Sequence, residues 1–274
     1  MKRFLFCLFC LASAAASAQP ASTTLKKVIN LEVTRGEEDV LAGTKGASIV
    51  WHPVQKKYYA AMAGNINYPL AVFDAAGKAL SPDSLNTMAD IRGLWYNPVS
   101  KLIQGNCYSD MGWFSYKLNN KGMPVAADFF LEGEHQPGYQ LAGVYDPAKQ
   151  QVLFLFEGRV HFYSMKGEPQ GEPLQINWGR TQKDGPDESG LFMDETPTDY
   201  NITHMIFTGI KGAELGFLNC EEERIELYNK ANGYMVKTIQ LPDGAVTSTS
   251  FNFAYTNGMY WLFNIELRTW TGYK

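Results

Sequence analysis

The sequence predicts an all-β fold, a β-propeller most simply built from five blades of four antiparallel strands. Three observations support this prediction. A strand–turn–strand pattern recurs along the chain, each copy is followed by a third strand ending on an aromatic residue, and the last copy has no fourth strand after it. A small antiparallel sheet cannot bury both of its faces alone, so repeated units of this kind pack radially around an axis.

The repeat is clearest in three segments that share a proline. They read SIVWHPVQKKYYAAMAGN, GLWYNPVSKLIQGNCYSD and AGVYDPAKQQVLFLFEGR. In each, an apolar pair ends on an aromatic residue, and a polar residue followed by proline leads through a turn into a second apolar run. The polar residues are His52, Asn97 and Asp146. Asparagine or aspartate before proline suits the start of a type I turn. We therefore interpret His52 as a turn residue and not as a reactive group.

Two further copies lack the proline but keep the same spacing between aromatic residues. They run from HMIF to IELY (residues 204–228) and from NFAY to WTGY (residues 252–273). A fourth apolar segment closes the unit, most clearly in YMVKTIQLPDG (residues 234–244). The predicted blades therefore lie at about 46–90, 91–136, 140–180, 200–244 and 248–274.

The N-terminal strand is predicted to close the ring. The last copy reaches Lys274 directly after its third strand, and LKKVINLEVTRG (Leu25–Gly36) resembles the fourth strand of the preceding copy. We expect this segment to supply the missing outer strand of the last blade. Six blades are the alternative, because the stretch Gly179–Tyr200 could contain a degenerate blade.

The first residues, MKRFLFCLFCLASAAASAQP, are typical of a signal peptide. Lys2 and Arg3 precede a short apolar run, and Ala16 to Ala18 form a small-residue cleavage site. The apolar run is shorter than the ~20 residues that a membrane-spanning helix needs. We expect residues 1–18 to be cleaved near Ala18, residues 19–274 to form a single propeller domain in the periplasm or outside the cell, and no membrane insertion.

Composition limits the classes of partner. The chain has 24 basic and 28 acidic residues, and this balance does not favour a nucleic-acid partner, which would require clustered Lys and Arg. Two cysteines lie outside the leader, Cys107 and Cys220. They could pair in an oxidising compartment or remain separate thiols, and the sequence leaves both alternatives open, as it does the oligomeric state.

The recurring pattern resembles a known group of repeats. An aromatic residue, an Asx-Pro turn, a second strand and then V-x-D-x-x-G-K, as in AVFDAAGKAL (residues 71–80), look like blades of the NHL and YncE-like secreted propeller proteins. The resemblance covers nearly the whole chain after the leader. It implies the propeller fold, with binding as its commonest use. Because its motifs concern turns and packing, it implies no catalytic residue.

The candidate binding residues lie where second strands end, since these connections and those between blades share one mouth of a propeller. Asparagine can both donate to and accept from sugar hydroxyls or peptide groups, although it can equally close a turn. Aromatic residues near these loops could stack on a ligand, whereas most aromatics are expected to pack between blades. The predicted ligand-binding residues are Asn65, Tyr68, Asn106, Tyr108, Trp113, Glu157, Asn219 and Asn264.

Two functions follow as alternatives. The favoured one is a non-enzymatic module that recognises a glycan or a protein at one mouth. The other is a carbohydrate-active hydrolase or lyase, which would need two carboxylates about 5–9 Å apart in the channel. Asp90, Glu157 and an acid of the 181–200 loop are the candidates. Lys45 and Gln140 occupy the positions equivalent to Asp90 in other blades, which argues against the enzyme, and no catalytic residue is assigned.

The loop Thr181–Tyr200 is rich in acids, which are Asp184, Asp187, Glu188, Asp194, Glu195 and Asp199. Clustered carboxylates could hold Ca²⁺, but the alternating pattern of a calcium loop is absent. No two histidines have a metal-ligand spacing. We therefore expect a solvated loop and neither a metal nor a cofactor.

Overall fold

The computed structural model describes residues 23–36, 44–185 and 195–274. Within these ranges the chain forms 21 β-strands and two single-turn 3₁₀ helices, at Ser109–Met111 and Gln182–Asp184. The strands make five sheets arranged in a ring, so the predicted five-bladed β-propeller is confirmed and the six-bladed alternative is wrong. The predicted leader lies outside the described residues.

The strands follow one another around the ring in chain order. The N-terminal segment contributes β1 (Thr23–Thr24) and β2 (Lys27–Glu32). Blade 1 has β3 (Gly46–His52), β4 (Lys57–Met62) and β5 (Leu70–Asp74), and blade 2 has β6 (Ile91–Asn97), β7 (Leu102–Cys107), β8 (Trp113–Leu118) and β9 (Pro124–Leu131). Blade 3 has β10 (Val144–Asp146), β11 (Gln151–Phe156), β12 (Arg159–Ser164) and β13 (Leu174–Gln175). Blade 4 has β14 (Asn177–Thr181), β15 (Ile206–Phe207), β16 (Leu215–Asn219), β17 (Arg224–Tyr228) and β18 (Tyr234–Gln240). Blade 5 has β19 (Phe253–Thr256), β20 (Met259–Asn264) and β21 (Thr269–Tyr273).

The first strand of each blade lies next to the axis. These inner strands, β3, β6, β10, β15 and β19, are neighbours around the ring. Each turns back into its second strand through the turn that the repeat predicted. Oδ1 of Asn97 accepts from the backbone N of Val99 at 2.9 Å, and Oδ1 of Asp146 accepts from that of Ala148 at the same distance. The interpretation of these positions as turn residues is confirmed.

The N-terminal segment closes the ring as predicted. Strand β2 pairs antiparallel with β21, with Leu31 opposite Trp270. The backbones of Lys26 and Lys274 exchange two hydrogen bonds of 2.9 Å. Just before this, β1 pairs in parallel with β18 of blade 4, with Thr23 opposite Ile239. The first described strands therefore join blade 5 to blade 4.

Two blades depart from the predicted four antiparallel strands. Blade 1 has three strands, and an irregular segment that follows β5 takes the fourth position. This segment contains Pro82, which has no N–H to donate to a ladder, and the hydroxyl of Ser81 accepts from the backbone N of Val72 instead (3.0 Å). In blade 4, β14 and β1 both run parallel to the outer strand β18.

The core lies between blades and consists of five clusters of buried side chains. Its largest fully buried members are the indoles of Trp113, Trp261 and Trp270. Cys107 is buried in blade 2 and Cys220 is half-buried in blade 4, and both are free thiols. No helix in the described ranges has the length and the apolar character that crossing a membrane requires.

Candidate functional site

The axial channel has two different ends. We call the end where the inner strands begin, at Gly46, Ile91, Val144, Ile206 and Phe253, the upper mouth. It also carries the connections from second to third strands. We call the end where the inner strands finish and turn into second strands the lower mouth. The predicted ligand-binding residues belong to elements of the upper mouth.

The side chains of the four predicted asparagines make hydrogen bonds within the protein. Asn106 is fully buried and ties blade 2 to the connection that enters blade 3. The other three close turns, because the Oδ1 atoms of Asn65, Asn219 and Asn264 accept from backbone N–H groups two or three residues ahead, at 2.9–3.0 Å. The structure therefore does not gather the asparagines into a polar ring around the axis.

Three further candidates also lie apart from one another. Glu157 is exposed on the β11–β12 turn, where its φ is +48°. Tyr68 is half-buried and packs against the core between blades 1 and 5. Trp113 is fully buried between blades 2 and 3, 5.8 Å from Trp95 between ring centroids. Trp113 presents no surface on the mouth.

Tyr108 is the candidate that lies at the upper mouth with an accessible ring. Tyr108 is 38% exposed. Tyr139, which lies beside it on the connection into blade 3, is 53% exposed. The two ring centroids are 6.3 Å apart in an edge-to-face arrangement. This pair offers two aromatic surfaces at the same place, one from each of two blades.

An ion pair between a buried arginine and a half-buried aspartate lies beneath these tyrosines. The Arg92 guanidinium donates from Nη1 to Asp90 at 2.5 Å and from Nε to Oε1 of Gln140 at 3.0 Å. It stacks 4.7 Å from the centroid of Tyr108 and 5.6 Å from that of Phe251, which places the cation within the range of a cation–π contact. Arg92 is 4% exposed. The ion pair therefore forms a fixed polar floor.

Lys45 completes this floor from blade 1. Its Nζ donates to the hydroxyl of Ser250 and lies 5.7 Å from the centroid of the Phe251 ring. Asp90 also accepts from the backbone N of Gly64 at 3.0 Å. Acceptor, amide and cationic groups from blades 1, 2 and 5 thus meet with Gln140 at the axis.

His204 lies deeper and is neutral. Its Nε2 donates to the carbonyl of Ala47 at 2.7 Å, and its Nδ1 accepts from the Thr203 hydroxyl at 3.2 Å. Complete burial lowers the pKa of His204 from 6.5 to about 4, and the nearby Arg92 charge acts in the same direction. His204 thus links blade 4 to blade 1 as an uncharged hydrogen-bonding group.

The lower end of the channel contains a cavity of about 310 Å³. Every inner strand contributes at least one aromatic residue to its wall, and one set with a member from each strand is Trp51, Tyr96, Tyr145, Phe207 and Tyr255. The sequence identified these residues as the recurring aromatic of the repeat and assigned them to packing. It missed their second property, that all five line one cavity.

The hydrolase alternative depends on carboxylates that converge in the channel. Asp90 lies there in an ion pair, whereas Glu157 lies exposed on a hairpin turn. Asp187, Glu188 and Asp194 of the acidic loop are outside the described residues. Asp184 accepts from the backbone N and hydroxyl of Thr181, and Asp199 accepts from Asn219. Across residues 23–36, 44–185 and 195–274, no group of three or more His, Cys, Asp or Glu is placed to hold a metal ion.

Comparison with known proteins supports the fold. No protein-family model matches the chain, and no curated protein matches its sequence. Among solved structures, the glutaminyl cyclase of Myxococcus xanthus, a β-propeller, superposes with a TM-score of 0.56 at 10% identity, over 93% of this chain and 98% of that one. The hydrazine synthase of Kuenenia stuttgartiensis gives a TM-score of 0.47 at 10% identity, over 83% of this chain and 82% of that one. A streptogramin B lyase gives 0.39 at 11% identity, over 85% and 65%. At 10% identity the likeness to the glutaminyl cyclase is one of fold alone.

Proposed function

We propose that this protein is a non-enzymatic binding module that recognises a glycan at its upper mouth. The observation that carries this proposal is the exposed pair Tyr108 and Tyr139 standing over the Asp90–Arg92–Gln140 group, in which Arg92 is buried. Aromatic faces beside fixed donors and acceptors match the two properties of a sugar, which has apolar ring faces and hydroxyls around its edge.

Preorganisation supports binding at this place. Arg92 is buried and held from several sides, so its geometry does not have to be ordered when a ligand arrives. Asp90 keeps partial exposure, with 16% of its side-chain surface accessible. A sugar stacked on Tyr108 would have an acceptor and an amide within the same mouth.

Charge narrows the class of glycan. The connections from second to third strands carry six exposed acids, which are Asp110, Glu157, Glu221, Glu222, Glu223 and Glu266. Their field at the upper mouth disfavours polyanionic ligands and favours neutral or amino-substituted sugars. A protein ligand is the other outcome that the experiment below distinguishes.

The test is a screen of neutral, amino-substituted and acidic glycans with residues 19–274, followed by calorimetric titration of each ligand found. We expect the Tyr108→Ala and Tyr139→Ala variants each to weaken binding by about tenfold or more, since aromatic anchors dominate binding energy. Phe130→Ala is the matched control, because Phe130 is also 38% exposed but lies on the outer strand of blade 2. It should bind as the unmodified protein does.

Three results would overturn the proposal. The first is a glycan that binds the Tyr108→Ala/Tyr139→Ala protein as tightly as the unmodified one. The second is a peptide array on which the same variants abolish binding while no glycan binds, which would identify a protein ligand. The third is turnover of a bound glycan, detected by mass spectrometry and lost in Asp90→Asn, which would replace the module by the hydrolase or lyase.

A further inference from the structure

The cavity at the lower mouth is separate from the proposed glycan site. Its volume of about 310 Å³ is within the range of small-molecule pockets. Trp95 and Phe253 line the cavity as well, and we call the other five aromatic residues, Trp51, Tyr96, Tyr145, Phe207 and Tyr255, the aromatic collar. Each collar residue is the aromatic that ends an inner strand or immediately precedes its last residue, so the repeat itself builds the collar. The collar provides an apolar wall on all sides of the axis.

One polar atom in this wall has no partner. Tyr145 is 6% exposed, and its hydroxyl is buried without a hydrogen-bond partner among the described residues. Other buried tyrosines of the molecule are satisfied, for example Tyr59, whose hydroxyl donates to the carbonyl of Gly122 at 2.7 Å. Native structures rarely leave such a group unpaired. Because this hydroxyl has no accessible surface, a molecule in the cavity would meet the ring of Tyr145 and not its hydroxyl.

The rim of the lower mouth is positively charged. The turns that follow the inner strands of blades 1 to 4 carry Lys56, Lys101, Lys149 and Lys211, and Lys57 is the first residue of β4. The two acids of these connections are already engaged, since Asp146 pairs with Lys230, and Glu214 accepts from the backbone N of Gly212 and of Lys230 at 2.7 and 3.1 Å. The lower rim thus has the opposite sign from the acidic connections of the upper mouth.

We propose that the lower cavity binds a small amphipathic organic anion, with its apolar body inside the aromatic collar and its anionic group at the lysine rim. The positive charge of the rim favours an anion over a cation or a neutral molecule. A cation would gain from the aromatic faces but would be repelled by the lysines. A neutral apolar molecule would make no use of the lysines.

Two fluorescent probes with the same aromatic body test this proposal. 1-Anilinonaphthalene-8-sulfonate carries an anionic group, and N-phenyl-1-naphthylamine is its neutral counterpart. We expect the anionic probe to bind at one site and at least about fivefold more tightly than the neutral one, with the preference decreasing as salt is added. Equal binding of the two probes, or a preference that does not change with salt, would overturn the proposal.

Substitutions locate the site. In Lys56→Gln/Lys101→Gln/Lys149→Gln, all three changes are exposed, and we expect affinity for the anionic probe to fall by about tenfold at low salt while the neutral probe is affected less than about twofold. The control Lys26→Gln/Lys27→Gln/Lys237→Gln makes the same charge change away from the lower mouth, since Lys27 and Lys237 lie on the outer strands of blades 5 and 4 and Lys26 directly precedes β2. An equal loss in both triple variants would show a general charge effect and contradict the assignment.

Phe207→Ala tests the apolar part of the site, with Phe130→Ala as its control. We expect the folded Phe207→Ala protein to lose most of its affinity for both probes. Unchanged binding of both probes would place them outside the collar and refute the proposal. If Phe207→Ala does not fold, the variants at the exposed lysines still test the proposal, because these substitutions lie outside the core.

Discussion

The side chain of Asn106 in blade 2 holds the backbone of Gly143, at the entrance to blade 3. Its Oδ1 accepts from the Gly143 N at 2.8 Å, and its Nδ2 donates to the carbonyl of Leu141 at 2.8 Å and to Oε1 of Gln136 at 2.6 Å. A Cβ at Gly143 would lie 2.7 Å from a methyl of Val152. One buried amide and one glycine thus fix how two blades meet beside the axis.

Asn106→Ala should be much more costly than the loss of a turn asparagine. The change removes the Asn106 partner of the Gly143 N–H, the Leu141 carbonyl and the side-chain oxygen of Gln136, and we expect it to lower the free energy of unfolding by about 3 kcal/mol. Asn65→Ala is the control, because the side chain of Asn65 accepts an exposed turn bond, and we expect a loss of about 0.5–1 kcal/mol. Urea unfolding measures both. Similar losses in the two variants would show that Asn106 does not hold the blades together.

The closing strand should contribute through the side chains that it buries. Leu31 of β2 is fully buried in the core between blades 5 and 1, whereas Val28 of the same strand is 56% exposed. We expect Leu31→Ala to destabilise the protein by about 3 kcal/mol, as core truncations do, and Val28→Ala by less than about 0.5 kcal/mol. Thermal and urea unfolding provide the comparison. Equal effects would indicate that the closing strand contributes no core contact.

The sequence was sufficient for the blades because their signals are local. The side chains of His52, Asn97 and Asp146 each accept a hydrogen bond from a backbone N–H two or three residues ahead. Because this turn recurs along the chain, the boundaries of the blades could be predicted. The closing strand was also recognisable, since it resembles another outer strand. In blade 1, an irregular segment with Pro82 takes the place of a regular fourth strand, and Pro82 has no N–H with which to bond to a neighbouring strand.

The candidate site was less accessible to sequence reasoning because its contacts are long-range. Arg92 contacts Gln140 and Phe251, which belong to other blades, and no local sequence pattern predicts these contacts. Trp113 was predicted to bind ligand because it follows a loop. Gly112, with a φ of +89°, directly precedes β8, and Trp113, the first residue of β8, is fully buried. Only tertiary geometry separates Trp113 from Tyr108.

Arg224 contacts two glutamates, and we expect their contributions to the free energy of unfolding to differ sharply. Glu226 is fully buried, accepts from the Arg224 guanidinium at 2.7 and 2.8 Å, and accepts from the hydroxyls of Tyr200 and Tyr228 at 2.7 and 2.6 Å. Glu222 lies 3.5 Å from the same guanidinium, and its side chain is 59% exposed.

We expect Glu226→Gln to lower the free energy of unfolding by about 3 kcal/mol, because it breaks a buried charge pair. Glu222→Gln should change it by less than about 0.5 kcal/mol, as is usual for exposed ion pairs. Chemical denaturation of the two variants is a direct comparison. A cost for Glu222→Gln as large as that for Glu226→Gln would contradict the assignment of the buried network.

The neutral His204 should make the stability depend on pH. Burial lowers its pKa to about 4, whereas the unfolded value is 6.5. Between these values the unfolded chain binds the additional proton, so this residue's contribution is complete above about pH 6.5 and decreases as the pH falls towards 4. The loss reaches about 3 kcal/mol at the lower end.

In His204→Gln, the amide can still donate to the carbonyl of Ala47 but has no group that titrates. Urea unfolding from about pH 7 to about pH 4 should therefore show the stability difference between the unmodified protein and His204→Gln shrinking, or reversing, as the pH falls. A difference that stays constant across this window would show that His204 is protonated as readily in the folded protein as in the unfolded chain.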